Sequence, residues 1–188
     1  MDPAEEIVNL WLQKQGFFVM NHVKIGYRGK EADFLAVNPK REMCVHVEVR
    51  VAVFPLGRFR PWGPARYSRL PLKDRVKLYY EDKFIGVVDK KKLRLTNRCV
   101  ESRVEEMLGT RDYEKWLVLG VLHENDSEQE LKDEFRKYGV KVFLIKDILE
   151  QIHFKGTAKD STGRFLQLLA AQLTEESQKS LLKGATHV

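Results

Sequence analysis

The sequence is poor in cysteine and contains no long apolar run. Cys44 and Cys99 are the two cysteines, and without a CxxC spacing they do not predict a zinc site. No stretch approaches the roughly 18–20 apolar residues that a membrane-spanning helix needs. The acidic amino terminus also lacks the basic start and apolar core of a secretory signal. We therefore expect a cytoplasmic protein that does not act at a membrane.

Several familiar catalytic motifs are absent as well. The chain has no GxSxG, Walker A, GxGxxG or HExxH motif, so these signatures of serine hydrolases, nucleotide-binding proteins and zinc proteases give no guide to function. Apolar residues make up 43% of the 188 residues and charged residues 32%, a balance typical of a folded domain and not of a disordered chain.

Positive charge is concentrated in one segment of the chain. Residues 54–98 contain 13 Lys or Arg against four Asp or Glu, a net charge of +9, whereas the rest has 20 against 23, a net charge of −3. A solvated charged surface is one explanation. Segregation this strong favours the other explanation, which is a surface that binds a polyanion.

The pattern of apolar residues predicts an α/β protein with one mixed β-sheet flanked by helices. The order is an α-β-β-β-α-β-α-β core followed by further helices. The predicted helices are 3–15, 72–84, 97–108, 127–138, 146–152 and 161–182, and the predicted strands are 17–25, 31–38, 43–54, 116–122 and 140–145.

The predicted domain covers residues 1–153 and contains a basic insertion at 54–98, whose first part, 55–71, holds four of the six prolines and is expected to be a loop. Residues 154–188 form a linker and a C-terminal amphipathic helix. That helix either packs back on the domain or joins two copies into a homodimer.

Two acidic residues lie within the apolar strands 31–38 and 43–54. If 39–42 is a four-residue turn, Asn38 pairs with Met43, and the same register places Asp33 opposite Glu48. Glu31, His46 and Arg50 share their sheet face. Like charges directly opposed across two strands are destabilising, so the pattern predicts a divalent cation between the carboxylates. The alternative is a lattice of surface salt bridges centred on Arg50.

Three features together carry a family resemblance: Glu5 on the first helix, GKEADFLAV around Asp33 and HVEVR around Glu48. With the order of elements over residues 3–152, they resemble the PD-(D/E)XK, or restriction-endonuclease-like, nuclease superfamily. The resemblance implies a restriction-endonuclease-like fold and hydrolysis of nucleic-acid phosphodiesters with Mg²⁺ or Mn²⁺. It implies that Asp33 and Glu48 are metal ligands, and that Glu5 is an outer ligand or orients the attacking water. An ordinary acidic residue in the first helical turn is the alternative for Glu5.

The family pattern has a lysine where this chain has Arg50. Because arginine stays charged at working pH, Arg50 either supplies the electrostatic part of catalysis, or activity is lost, or another lysine reaches the site. Lys73 and Lys77 are the candidates for such a lysine, since Lys30 has the wrong parity for a regular strand.

The loop GRFRPWGPARYSRL at 57–70 alternates arginine with aromatic residues, which suits phosphate contacts and stacking on exposed bases. Aromatic side chains packed on the core are the alternative. The predicted nucleic-acid-binding residues are Arg58, Arg60, Trp62, Arg66, Tyr67, Arg69, Lys73 and Lys77. Three functions follow as hypotheses: a nuclease acting on DNA, an inactive binding module of the same fold, or an assembly subunit of a larger DNA-processing complex.

Overall fold

The computed structural model describes residues 3–25, 30–53, 59–60, 70–86, 100–120, 122 and 126–152. Several predictions lie outside these residues: nucleic-acid binding by Arg58, Trp62, Arg66, Tyr67 and Arg69, and the C-terminal helix at 161–182. The same holds for the side chain of Arg60, of which the backbone is described. Among the helices that are described, none combines the length and the apolar composition that crossing a membrane would require.

The elements follow the predicted order. The five helices are α1 Pro3–Lys14, α2 Leu72–Tyr80, α3 Val100–Leu108, α4 Glu128–Arg136 and α5 Ile145–Gln151. The strands are β1 Phe18–Lys24, β2 Glu31–Asn38, β3 Met43–Arg50, β4 Ala52–Val53, β5 Phe59–Arg60, β6 Glu114–Leu119 and β7 Val140–Leu144.

Two predicted elements differ from those observed. The strand predicted over 43–54 is divided, because β3 ends at Arg50 and β4 pairs with β5 in a separate two-stranded sheet. The helix predicted over 72–84 is α-helical to Tyr80 and then continues as a π-helical turn, Glu81–Ile85. That turn matters for the site described below, since it changes the direction of the side chains that follow α2.

The main sheet is mixed, as predicted, with the strand order β1-β2-β3-β6-β7. Neighbouring strands are antiparallel from β1 to β3 and parallel from β3 through β6 to β7. The β2–β3 turn is held by Asn38, whose side-chain Oδ1 accepts hydrogen bonds from the backbone N–H groups of Lys40 and Arg41. Such a turn fixes the register of the hairpin.

Helices cover both faces of the sheet because alternate residues of the central strands are apolar on each side. On β6, Trp116 and Val118 face the cluster formed with α1 and α5, where the Nε1–H of Trp11 donates to Gln151 Oε1 at 2.9 Å. Leu117 and Leu119 face the opposite cluster, formed with α2 and α4. The core is therefore divided into two layers by the sheet.

Candidate functional site

The β2–β3 hairpin places Asp33 and Glu48 near each other, as predicted. The predicted register is confirmed for five pairs, from Asn38–Met43 to Phe34–Val47. The ladder ends one pair before Asp33 and Glu48, so their direct pairing, and that of Glu31 with Arg50, is not observed. There the Asp33 side chain joins the two strands instead, because its Oδ2 accepts the backbone N–H of Val49 at 2.7 Å.

Asp33 is strongly perturbed by its surroundings. Burial, followed by the negative charge of Glu48, raises the pKa of Asp33 from 3.8 to about 7, although the hydrogen bond from Val49 and the charge of Lys83 oppose the shift. Glu5, on α1, raises it further. The like-charge conflict inferred from the hairpin register is therefore present, and Glu5 contributes to it.

Both side-chain oxygens of Glu48 have a close polar neighbour, His46 at Oε1 and Lys83 at Oε2. The Glu48 side chain is 1% exposed. Its Oε1 lies 3.0 Å from His46 Nε2, which is also buried. Because an ionised carboxylate only accepts hydrogen bonds, Nε2 carries the proton in this pair. Burial alone would raise the pKa of Glu48, but His46 and Lys83 outweigh burial and hold it below its usual value. Glu48 is thus the ionised member of the two carboxylates.

Lys83 is the lysine that contacts Glu48. Its Nζ lies 3.1 Å from Glu48 Oε2, in an ion pair that leaves Oε2 without a well-aligned hydrogen bond. Burial would lower the pKa of Lys83, and the charge of Glu48 raises it above its usual value. Lys83 therefore stays positively charged beside the acidic pair.

The π-helical turn that carries Lys83 is anchored by packing. The neighbouring Phe84 is fully buried and meets the ring of His46 edge-on, with centroids 5.0 Å apart. Gly86 ends the turn with a φ of +80°, and a Cβ there would lie 2.7 Å from a methyl group of Val100. Because both the conformation and the space require glycine, the end of the turn is fixed, and with it the direction of Lys83.

Lys30 also approaches the site, contrary to the parity argument drawn from the sequence. It precedes β2, which begins at Glu31, so the alternation of a regular strand does not apply to it. Its Nζ lies 3.7 Å from Asp82 Oδ1 on the π-helical turn. Burial lowers the pKa of Lys30, although Asp82 and Glu48 oppose that shift.

Glu5 is reached by a histidine from the edge strand. His22 Nε2 lies 3.4 Å from Glu5 Oε2, and His22 Nδ1 lies 3.9 Å from Glu31 Oε2. His22 has a φ of +50°, in the left-handed region that residues other than glycine rarely adopt. This local backbone conformation brings a polar ring between two carboxylates, one of which acts on Asp33.

The other predicted cations whose side chains the structure describes are exposed, and none of them is shown in contact with Asp33 or Glu48. Arg50 is exposed at the end of β3 and is close enough to Tyr79 to affect the pKa of its hydroxyl. Lys73 and Lys77 are exposed on α2, so the lysine sought for the site is Lys83 and not either of them. Their predicted role in binding nucleic acid stays a prediction.

Besides Lys83, a second cation of the basic segment is paired with a buried carboxylate. Arg75 forms a bidentate ion pair with Asp126, its NH1 lying 2.9 Å from Oδ2 and its NH2 bonding Oδ1, and the two side chains are 6% and 4% exposed. The pair links α2 to the residue before Ser127, which caps α4. Arg75 therefore does not contribute to a surface charge that could meet a polyanion.

No group of three or more His, Cys, Asp or Glu side chains in the described residues has the arrangement of a metal site. Mg²⁺ is commonly held by one or two protein carboxylates, with water and substrate oxygens completing its coordination. Asp33 and Glu48 could supply such a pair. Glu48 repels the ionised form of Asp33, and Glu48 Oε2 has no well-aligned hydrogen bond, so both carboxylates would suit a cation.

The sequence interpretation missed Lys83, although a signal for it exists. Val76, Tyr79 and Lys83 follow an i, i+3, i+7 spacing, and the first two are buried. A lysine at the next position of a buried helical face is unusual and should have directed attention to a buried carboxylate.

Comparisons with known proteins found no relative. No family model, no curated protein and no solved structure matches this chain.

Proposed function

We propose that the protein is a metal-dependent nuclease that hydrolyses phosphodiester bonds of DNA, and that its mixed sheet is a variant of the restriction-endonuclease-like fold. The observation that carries the proposal is the grouping of Asp33, Glu48 and Lys83. Two carboxylates and one lysine meet at a buried hairpin end, although the lysine comes from the π-helical turn within the basic segment and not from the strand of Glu48.

Asp33 and Glu48 are the residues that would hold Mg²⁺ or Mn²⁺. Their donor atoms are hard carboxylate oxygens, which these cations prefer. A bound cation supplies positive charge at the scissile phosphate and lowers the pKa of the attacking water. It would also offset the repulsion from Glu48, which after burial is the second cause of the raised pKa of Asp33.

The remaining residues have roles that need no further group. His46 fixes the Oε1 of Glu48 by a buried hydrogen bond, which leaves Oε2 on the side of Lys83. Lys83 provides a permanent positive charge where negative charge develops on the phosphate. Glu5, which lies 3.4 Å from His22, would orient water near Asp33.

A nucleic acid, DNA in this proposal, is the expected substrate because the +9 segment begins shortly after β3, the strand of Glu48. The arginines of that segment would bind phosphates along a backbone that passes the carboxylates.

The inactive binding module remains the second candidate, because Arg50 occupies the position of the family lysine and Lys83 is already paired with Glu48. Such a module would use the same basic segment and cleave nothing.

The test is cleavage of supercoiled, linear and branched DNA and of RNA with Mg²⁺, Mn²⁺ or EDTA. The variants Asp33→Asn and Glu48→Gln should be inactive while still binding DNA. Asp112→Asn is the matched control, since Asp112 is exposed outside the site. Binding without metal-dependent cleavage by the wild type would favour the inactive module, and absence of both would favour the assembly subunit.

A further inference from the structure

Strand β1 forms an open edge of the main sheet. In the part of the chain that the structure describes, β2 is its only neighbouring strand, so half of its backbone N–H and C=O groups point away from the sheet. Proteins usually protect such an edge with charged side chains. The opposite edge, β7, has that protection, because it carries the exposed Lys141, which is paired with Glu114. The run from Gly16 to Asn21 contains no charged residue.

β1 also exposes two large apolar side chains on one face. Phe18 is 73% exposed and Met20 is 38% exposed. In the ladder with β2, Phe18 lies opposite Val37. Met20 lies opposite Leu35, which packs in a cluster with α3. Because directly opposed side chains share a sheet face, all four lie on the α3 side of the sheet. Phe18, Met20 and the half-buried Val37 therefore form an apolar patch beside the free edge, the β1 patch.

The backbone limits how much of β1 can accept another strand. His22 has a φ of +50° and is left out of the β1–β2 ladder, so the regular strand is interrupted after Asn21. A second strand can therefore pair with residues 17–21. A strand pair of this length buries less area than an obligate interface, which covers about 2,000 Å² or more. An assembly formed here is expected to be reversible and to depend on protein concentration.

We propose that a second copy of this chain pairs with β1 in antiparallel orientation, about a two-fold axis through Val19. In this register Val19 meets its own counterpart, and Phe18 lies opposite the partner's Met20. The exposed side chains then cover each other, since directly opposed side chains have Cβ atoms about 4.5–5.5 Å apart. The axis is perpendicular to the sheet, so the two β1 patches lie on the same side of one continuous sheet. The inference does not depend on the proposed nuclease function.

Self-pairing about Val19 fits the strand better than the neighbouring registers do. An axis through Met20 would bring Phe18 against His22, where the strand is irregular. An axis one residue further along would bring Phe18 against the charged Lys24. The axis through Val19 instead opposes apolar side chains to apolar side chains and brings no like charges together. Because the same surface serves both copies, the product is a closed dimer and not a filament.

Sedimentation velocity of the full-length protein over a range of concentrations tests the association. The wild type should show a reversible monomer–dimer equilibrium. Phe18→Lys and Met20→Lys should each raise the dissociation constant of the dimer by about tenfold or more, because each brings an unpaired charge into a buried contact. Met107→Lys is the matched control, since Met107 is 40% exposed on α3, and this variant should dimerise like the wild type. Thermal unfolding identifies any variant that fails to fold.

Disulfide cross-linking tests the register. In a Cys44→Ser, Cys99→Ser background, Val19→Cys should form an intermolecular disulfide on mild oxidation, because the two new thiols face each other across the axis. Asn21→Cys is the control. Because Asn21 pairs with Phe17 in this register, its counterpart is about 14 Å away along the strand, and the variant should stay unlinked.

Three results would overturn the proposal. A wild type that stays monomeric at its highest soluble concentration would leave the β1 edge to another part of this chain or to a different protein. A dimer that forms equally well with Met20→Lys, or that Met107→Lys disrupts to the same extent, would place the association on another surface, of which the predicted helix 161–182 is one. Cross-linking through Asn21→Cys and not through Val19→Cys would exclude the Val19 register.

Discussion

Lys83 Nζ lies 3.1 Å from Glu48 Oε2, although Lys83 belongs to a helical turn within the basic segment and Glu48 to strand β3, which precedes that segment. The contact brings Glu48, the ionised member of the Asp33–Glu48 pair, against a lysine that stays protonated. The site therefore contains a lysine, although the residue two positions after Glu48 is Arg50.

Divalent metal should stabilise the folded protein. Because Mg²⁺ or Mn²⁺ at millimolar concentration would offset the repulsion between Asp33 and Glu48, the melting temperature should rise on adding either cation. Asp33→Ala should abolish the rise, and Asp112→Asn should keep it. A wild type whose melting temperature ignores both metals would argue against a cation at this pair.

Stability without metal should fall as pH rises from about 4 to 7. Asp33 has a pKa raised from 3.8 to about 7, so the folded state binds its proton more tightly than the unfolded chain within that interval. Ionising Asp33 in the folded state therefore lowers the free energy of unfolding. The contribution from its raised pKa is lost above about pH 7, and the upper bound of that contribution is on the order of 4 kcal/mol. Urea unfolding in EDTA should show a slope that Asp33→Asn removes, while Asp112→Asn leaves it unchanged.

Lys83 should matter more for catalysis than Arg50. Lys83→Ala removes the charge beside Glu48 and should cost about 2–4 kcal/mol of transition-state stabilisation, the usual scale for one such group. Arg50→Ala should cost less, because Arg50 is exposed at the strand end. Single-turnover cleavage of DNA by both variants is the measurement, and a larger loss for Arg50→Ala would restore Arg50 to the role that the family pattern gives its lysine.

The basic segment should bind DNA through phosphates. If about four are contacted, the slope of log K against log salt should be near −3.6 for duplex DNA. Changing Arg58, Arg60, Arg66 and Arg69 together to alanine should flatten the slope. The charge-matched control changes Lys132, Arg136, Lys137 and Lys141, on α4 and β7, to alanine. Equal losses in the two quadruple variants would mean that net charge, and not this segment, governs binding.

Removing only one partner of the Arg75–Asp126 pair should destabilise the folded protein strongly. Arg75→Ala leaves a buried carboxylate without its ion pair and should cost about 3–5 kcal/mol in the free energy of unfolding. The double variant Arg75→Met, Asp126→Leu should be closer to wild type, because it removes both charges. If the single and double variants were equally unstable, packing of α2 rather than buried charge would be the cause.

The sequence by itself determined the sheet and half of the candidate site. Alternating and continuous apolar runs fix strands and helices locally, and a four-residue turn fixes the hairpin register by arithmetic. Asp33 and Glu48 were therefore found from two short stretches, and the register was confirmed over five pairs.

Tertiary structure alone decided which cations meet those carboxylates. Lys83 lies on the π-helical turn and Lys30 at the chain entry to β2, and the local spacing of neither residue identifies the carboxylate near it. Likewise, nothing local to Arg75 indicates that Asp126 neutralises it. Contacts of this kind depend on how distant segments pack. The free energy that selects them comes from burying the apolar faces of α2 and the sheet. The sequence pattern predicts that these faces are buried but does not identify what they pack against.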